Sequence, residues 1–319
     1  MRFETEALPL ENMEWVADWT SQSPRSMPVS QSLRAVSDDG WLGSVAVQQI
    51  PDDTIALSNL CTNLQLPDDE QHSIRVALLQ QSVIISEVAS PRYVRYLASA
   101  KDAQVLKALS SAAFQFAGPV EQWSRSGDTT AIRHVPPVGC HFYCIEAANV
   151  AALATSSFTL LSTPTTSESS PNELTVPRSV LCSLLDESLQ HSNDLPALPL
   201  PSADQLLQLW GLSRSTIHIV LAVQDNEPVG LMATNMGQDS SNAIGPEVFI
   251  EYIGVRVNWR RFGIAAALLS MVSSGIGGAL PPWQITAFAG ADNQAAASLY
   301  RCLGFCSTDS LAVWIVASR

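Results

Sequence analysis

Arg260, Arg261 and Gly263 stand together in "NWRRFGIAAALLSMV", residues 258–272, where positive charge and a missing side chain run straight into an alanine–leucine stretch. These residue types suit an anion. The first backbone N–H groups of a helix have no partner within it and point outward with the positive end of the helix dipole. A phosphate fits such an end. Gly263 removes a side chain that would block the approach of backbone to ligand, and Ala265 is small two positions on. Taken alone, the stretch also reads as an ordinary helix start or as the flank of an apolar span. No Lys-Ser or Lys-Thr follows, which excludes a nucleotide-hydrolysing P-loop. The spacing is not G-x-G-x-x-G, so a Rossmann dinucleotide turn is unsupported.

The elements that must position these residues are legible on both sides. "TIHIVLAVQ" (216–224) and "VGLMATNM" (229–236), separated by "DNEP", predict a hairpin, and "EVFIEYIGVRV" (247–257) predicts a long third strand. The arginine–glycine stretch then enters a helix. "WQITAFAG" (283–290) predicts a strand, "NQAAASLYRCLGF" (293–305) a helix with a glycine stop, and "SLAVWIVAS" a last strand.

In this setting R-x-x-G-x-A after a strand ending in V-x-V resembles the acetyl-CoA signature of the GNAT superfamily of N-acetyltransferases. A second stretch, N-x-x-A-x-x-L-Y-x-x-x-G-F, resembles that family's later motif at Asn293, Ala296, Leu299, Tyr300, Gly304 and Phe305. The resemblance covers about residues 140–319, with specific motifs only in 247–305. It implies a mixed α+β fold whose central twisted, mostly antiparallel sheet is flanked by helices. It also implies acetyl-CoA as cosubstrate, with the pyrophosphate on the backbone of Arg261, Phe262, Gly263, Ile264 and Ala265, and Arg260 adding charge. The pantetheine arm would pair with the backbone of Val255, Arg256 and Val257 and would contact Asn293. Tyr300 would protonate the departing thiolate as general acid. The amine would attack the thioester directly, with Glu251 as the candidate base and Glu247 as a second. Arg261 departs from the pattern, standing where glycine is common. The rival function is a non-catalytic CoA-binding or interaction protein built from such folds.

The first half reads as a worn copy. "SLRAVSDD" and "WLGSVAVQQI" predict a hairpin, "TIALSNLCTNLQL" the long strand, and "PDDEQHSIRVALLQQ" the entry to a helix. Laying Ala77-Leu78-Leu79 on Ala267-Leu268-Leu269 puts Glu70 at Arg260, Ser73 at Gly263 and Arg75 at Ala265. A second anchor puts Asp102 at Asn293, Leu109 at Tyr300, and Ala113-Phe114 at Gly304-Phe305. This is the mark of an internal duplication. Asp68, Asp69 and Glu70 would satisfy the helix dipole themselves and repel a phosphate. The expected organisation is a degenerate copy without a CoA site in 1–128 and a catalytic domain in 129–319, the latter interrupted by an exposed Ser/Thr/Pro-rich loop at 162–179.

The bulk composition agrees with these expectations. A chain of 319 residues suggests two domains. A net charge of −13 argues against nucleic acid, which needs a basic surface. The acceptor is expected to be a small-molecule or peptide amine. The uncharged run 262–283 ends in glycines and Pro281-Pro282, so a helix and loop are expected there and no membrane span. Six cysteines in a chain of this length are no disulfide scaffold. His134 and His141 lie near Cys140 and Cys144, a spacing compatible with zinc, but buried thiols and no metal are the expectation. A cytoplasmic monomer or homodimer follows from the same reading.

Overall fold

Runs rich in β-branched residues at period two become strands here, and alanine–leucine runs become helices. The structure is a computed structural model, and it describes residues 14–17, 30–37, 40–50, 54–86, 91–126, 132, 134–145, 157–162, 174–190, 202–212, 217–236, 247–275, 282 and 284–317. The first half holds β1 (Glu14–Ala17), β2 (Ser30–Ser37), β3 (Gly40–Ile50), β4 (Thr54–Thr62), α1 (Asp68–Ser86), β5 (Tyr93–Ser99), α2 (Ala103–Ser111) and β6 (Gln115–Ser126). There follow β7 (Cys140–Ile145), β8 (Ser157–Ser162), β9 (Leu174–Pro177), α3 (Arg178–Gln190) and α4 (Ala203–Leu212). The rest is β10 (Ile217–Gln224), β11 (Glu227–Met236), β12 (Glu247–Val255), α5 (Ile264–Ser273), β13 (Gln284–Gly290), α6 (Gln294–Cys302) and β14 (Cys306–Ala317).

The chain forms two compact units, and they are not the two sequence halves. One comprises Met1–Gly118 with Leu311–Arg319, the other Pro119–Ser310. The single cut expected after residue 128 is therefore not where the units part. The chain passes from the first unit to the second within β6 and returns within β14. In the first unit β1 to β4 pair antiparallel in chain order, β4 pairs β5 in parallel, and β5 takes the end of β14 antiparallel, Tyr93↔Ala317 to Ser99↔Leu311. In the second unit β13 takes β6 antiparallel, Gln284↔Ser126 to Gly290↔Val120. Its sheet continues through the parallel pair β13–β12 to β11, β10, β7, β8 and β9, all antiparallel. The first unit thus completes its sheet with the end of β14, from the far end of the chain, and the second with β6, from the first half of the sequence.

The turn expected at "DNEP" is tighter than that. Asp225 (φ 51°) and Asn226 (φ 66°) alone make it, and Glu227 already pairs with Gln224. Both residues adopt the left-handed backbone that a two-residue hairpin turn requires and that Asp and Asn tolerate. Of the loop expected at 162–179, Ser162 ends β8, Leu174–Pro177 form β9 and Arg178 opens α3, while 163–173 lie outside the described residues.

One hydrophobic cluster organises the first unit, joining Ile55, Leu57, Leu78, Leu79, Val94, Tyr96 and Leu109. The second unit has two. One contains Ile250, Ile264, Leu268, Leu269, Ala287, Tyr300 and Phe305, from β12, β13, α5 and α6. The other gathers Leu181, Leu184, Leu185, Leu207, Trp210 and Leu221, from α3, α4 and β10. Helices α3 and α4 have no counterpart among the described residues of the first unit. No helix among the described residues is long and apolar enough to cross a membrane.

Candidate functional site

The second unit's parallel pair opens into a fork. β12 and β13 are in register only from Glu247↔Gln284 to Ile250↔Ala287. Beyond that point each strand continues on its outer partner, β12 with β11 as far as Val255↔Gly230, and β13 with β6 as far as Gly290↔Val120. The inner edges of β12 and β13 are therefore released from each other while both strands stay anchored. A β-bulge sits at the branch. Ala233 pairs Tyr252 and Thr234 pairs Ile250, so Glu251 is the extra residue. Burial changes parity across it: Val248 and Ile250 are buried before it and Val255 after it, while Tyr252 turns to the opposite cluster against Trp210.

Glu251 is exposed at this branch and accepts a hydrogen bond from Asn235 Nδ2 at 3.1 Å. Glu247 stands at the closed end of the pair, where it accepts from Thr286 Oγ1 at 3.4 Å. Between the two carboxylates, only Glu251 is at the fork.

At the end of β12 the chain makes a short 3-10 turn, Val257–Trp259, and then the loop into α5. Arg261 (φ 66°) and Gly263 (φ 86°) both take left-handed backbone. That explains why glycine is common in the family at the position of Arg261: a side chain there is strained by about 1 kcal/mol or more. Gly263 is the N-cap of α5, and the first amide of this helix to find a carbonyl is Ala267 N–H, on Gly263 O at 2.9 Å. Among the described residues, none of the N–H groups of 261–266 is taken by a backbone carbonyl. Arg260, Arg261 and Phe262 are exposed, Ala265 is half-buried and Ile264 is buried in the core. Arg260 is not splayed into solvent, since its Nε donates to Val255 O at 3.1 Å. The loop thus forms a cradle of backbone donors beside two arginines, an arrangement whose chemistry suits an anion.

The backbone expected to pair with a pantetheine arm is partly in use. Arg256 N–H donates to Val229 O at 2.9 Å. Val257 N–H donates to Glu187 Oε1 at 3.0 Å, and the same carboxylate binds Arg256 Nη1 at 2.6 Å. Glu187, on α3, was not marked by any motif. Its neighbour Ser188 hydrogen-bonds the hydroxyl of Tyr252, so successive residues of α3 are fixed to β12 and to the turn just beyond it.

Asn293 and Tyr300 bracket α6. The Asn293 side chain caps the helix, accepting from Ala296 N–H at 3.0 Å, which commits its oxygen to the helix end. Tyr300 is 2% exposed. Its ring lies between Phe305 (centroids 5.3 Å apart) and Trp123 (6.0 Å), and Arg301 stacks on the other ring system of that pair, Trp123, at 5.3 Å. Trp123 comes from β6, so a strand from the first half of the sequence supports the helix that carries the tyrosine. Among the described residues no group of three His, Cys, Asp or Glu side chains is placed to hold a metal, and burial pushes the Cys140 thiol up to about 11.

A family model described as the acetyltransferase (GNAT) family matches residues 184–305. Curated proteins provide no significant match to the sequence. Among solved structures, the chain is similar to a tandem GNAT protein from the clavulanic acid biosynthesis pathway, with TM-score 0.60, 11% identity, and coverage of 92% of this chain and 86% of that one. It is similar also to a GCN5-related N-acetyltransferase from Sphaerobacter thermophilus, with TM-score 0.56, 12% identity, and coverage of 90% and 81%. At such identities the likeness is one of fold. The fold is that of tandem GNAT proteins, and residues 184–305, which carry the fork, the loop into α5 and Tyr300, match the model of the acetyltransferase (GNAT) family.

Proposed function

We propose that the protein is an acetyl-CoA-dependent N-acetyltransferase with a single active site, in the second unit. The observation that carries the reading is the cradle itself: six consecutive backbone N–H groups, 261–266, with no carbonyl partner among the described residues, at the mouth of a fork between parallel strands. The diphosphate of acetyl-CoA is read onto that cradle, with Arg260 and Arg261 at its rim. The pantetheine arm is read into the fork along β12, where it meets Val255 and displaces or bypasses the Glu187 contact at Val257.

In this reading the acceptor is a primary amine of a small molecule or peptide. Glu251 removes its proton, directly or through water. The amine nitrogen bonds to the thioester carbonyl carbon, the carbon–sulfur bond breaks, and the Tyr300 hydroxyl supplies a proton to the departing sulfur. No covalent enzyme intermediate is required. The first unit is read as a copy that takes no CoA.

An acetylation screen over an amine library, read by free-thiol release from acetyl-CoA, tests the proposal. Thiol release above background with at least one amine class is the expected outcome. CoA binding without release for any amine would instead favour a non-catalytic CoA-binding module.

A further inference from the structure

Residues outside the signature stretch also reach the cradle. His134 lies well upstream, on the segment that leads into β7. Two residues before it, Ile132 is 6% exposed and both of its backbone groups are fastened to α5. Its N–H donates to Ser273 Oγ at 3.1 Å, and its carbonyl accepts from the hydroxyl of Ser270. On the far side, Pro136 and Pro137 restrict the backbone, Cys140 N–H donates to Pro137 O at 3.0 Å, and Gln224 Nε2 donates to Val138 O at 3.3 Å. His134 is thus held between two anchors, one of them on the helix whose start forms the cradle.

Its imidazole is set against Gly263. A Cβ placed on that glycine would collide with His134 Nε2, would meet Cε1 at 3.1 Å, and would stand 3.5 Å from Cδ2. The ring therefore presents its Nε2 edge to the loop, at the residue in the middle of the uncommitted N–H groups. Nε2 donates a hydrogen bond in the imidazolium and in one neutral tautomer. The absence of a side chain at Gly263 serves two ends, the left-handed backbone and the room for this ring.

We propose that His134 is a diphosphate-binding residue of the site, donating from Nε2 to a phosphate oxygen of CoA alongside the amides of 261–266. The inference rests on the reading of the loop as a CoA site. The strap is tied to α5 through Ser270 and Ser273, so the imidazole keeps its place relative to the amides, and little ordering is required when the anion arrives.

Calorimetric titration of the full chain with CoA, and separately with pantetheine, which lacks the diphosphate, tests this. His134→Ala is expected to weaken CoA about tenfold, the effect of one hydrogen bond to a charged group. It should leave pantetheine affinity and the melting temperature unchanged, and His134→Gln, which keeps a donor, should recover part of the loss. Unchanged CoA affinity in His134→Ala overturns the proposal. Tighter binding overturns it too, by making the ring an obstruction, and so does an equal loss for pantetheine, which marks a structural role. If the wild-type chain binds no CoA, the reading of the loop falls first and this proposal with it.

Discussion

The two units build the same fork and treat it in opposite ways. In the first, β4 and β5 are in parallel register only from Thr54↔Tyr93 to Leu57↔Tyr96, and β4 then carries its own irregularity between Ser58 and Cys61, with Asn59 at φ 53°. Burial shifts parity there as in β12, from Ile55 and Leu57 to Leu60. The second halves agree equally well. Asp102 caps α2 from Val105 N–H at 3.0 Å as Asn293 caps α6. Ala113 (φ 66°) takes the left-handed position of Gly304 (φ 80°), and Phe114 N–H reaches Leu109 O as Phe305 N–H reaches Tyr300 O.

The copies diverge at the places a ligand would use. The last paired residue of the second unit's fork is Ala287. Its counterpart in the first unit is Tyr96, buried, whose hydroxyl accepts the N–H of Leu60 at 3.2 Å. The phenol occupies the opening and uses a donor of β4 just beyond the branch. The cradle is gone as well. α1 already begins at Asp68, the counterpart of Asn258, and Gln71 N–H donates to Pro67 O at 2.9 Å. The amides that are uncommitted in the second unit are therefore helical in the first. Gln71, the counterpart of Arg261, instead serves a buried network, with Oε1 accepting from Thr62 Oγ1 at 3.2 Å and from Arg75 Nη2 at 3.0 Å. The difference teaches that a helix start is not itself an anion site. What matters is whether the helix has absorbed its own entry loop.

The largest expected effect comes from transplanting the plug. Ala287→Tyr should give the second unit the first unit's filled fork and weaken CoA by more than about 100-fold, a loss of roughly 3 kcal/mol. Calorimetry measures this, and a melting curve beside it separates a blocked fork from an overpacked core. Exchanging the ends of the chain comes next. A fragment of residues 119–310 keeps β6 against β13 and should melt cooperatively. A fragment of 129–319 loses that strand together with Trp123, and it should show no cooperative transition by circular dichroism. The opposite ranking would mean that β6 is dispensable to the second unit.

Given an acceptor from the screen, Tyr300→Phe should lower kcat by about 100-fold with little change in CoA affinity, the low end of general acid catalysis. Equal turnover would make the ring only a wedge between Trp123 and Phe305. The smallest effect belongs to the first unit. Tyr96→Phe leaves the buried Leu60 N–H without its acceptor and should cost about 1–3 kcal/mol in a denaturant titration, without adding a second CoA site.

Much of this was legible in the sequence because it is written locally. Alternation, the glycine stop at Gly304 and the spacing from Gly263 to Tyr300 placed the strands and helices around the site. The gap-free match of Ala77-Leu78-Leu79 to Ala267-Leu268-Leu269 exposed the duplication. In the sequence, the acids at Asp68, Asp69 and Glu70 form a charge barrier at a helix start. They do open α1, and the helix also takes up the residues that correspond to the second unit's entry loop. What stayed hidden depends on partners remote in sequence. The alternation of β6 and β14 says which face is buried, not which strand lies alongside, so their exchange left no local trace. His134 sits on a proline strap with no repeating pattern, and its one signal in the sequence is closeness to Cys140 and Cys144. Glu187 is one charged residue on an amphipathic helix, and only the fold shows that it reaches Val257 N–H. Tyr96 reads as an ordinary strand aromatic until its register with Leu57 is known.

The central claim is that one copy of a duplicated fold kept the site and the other closed it. Titration of the full chain with CoA, with Gly263→Trp as its partner, tests this most directly, since any side chain at that left-handed position strains the backbone and strikes His134. The account predicts one CoA per wild-type chain and none in Gly263→Trp, with both proteins folded. Two CoA per chain, or undiminished binding in Gly263→Trp, would contradict it.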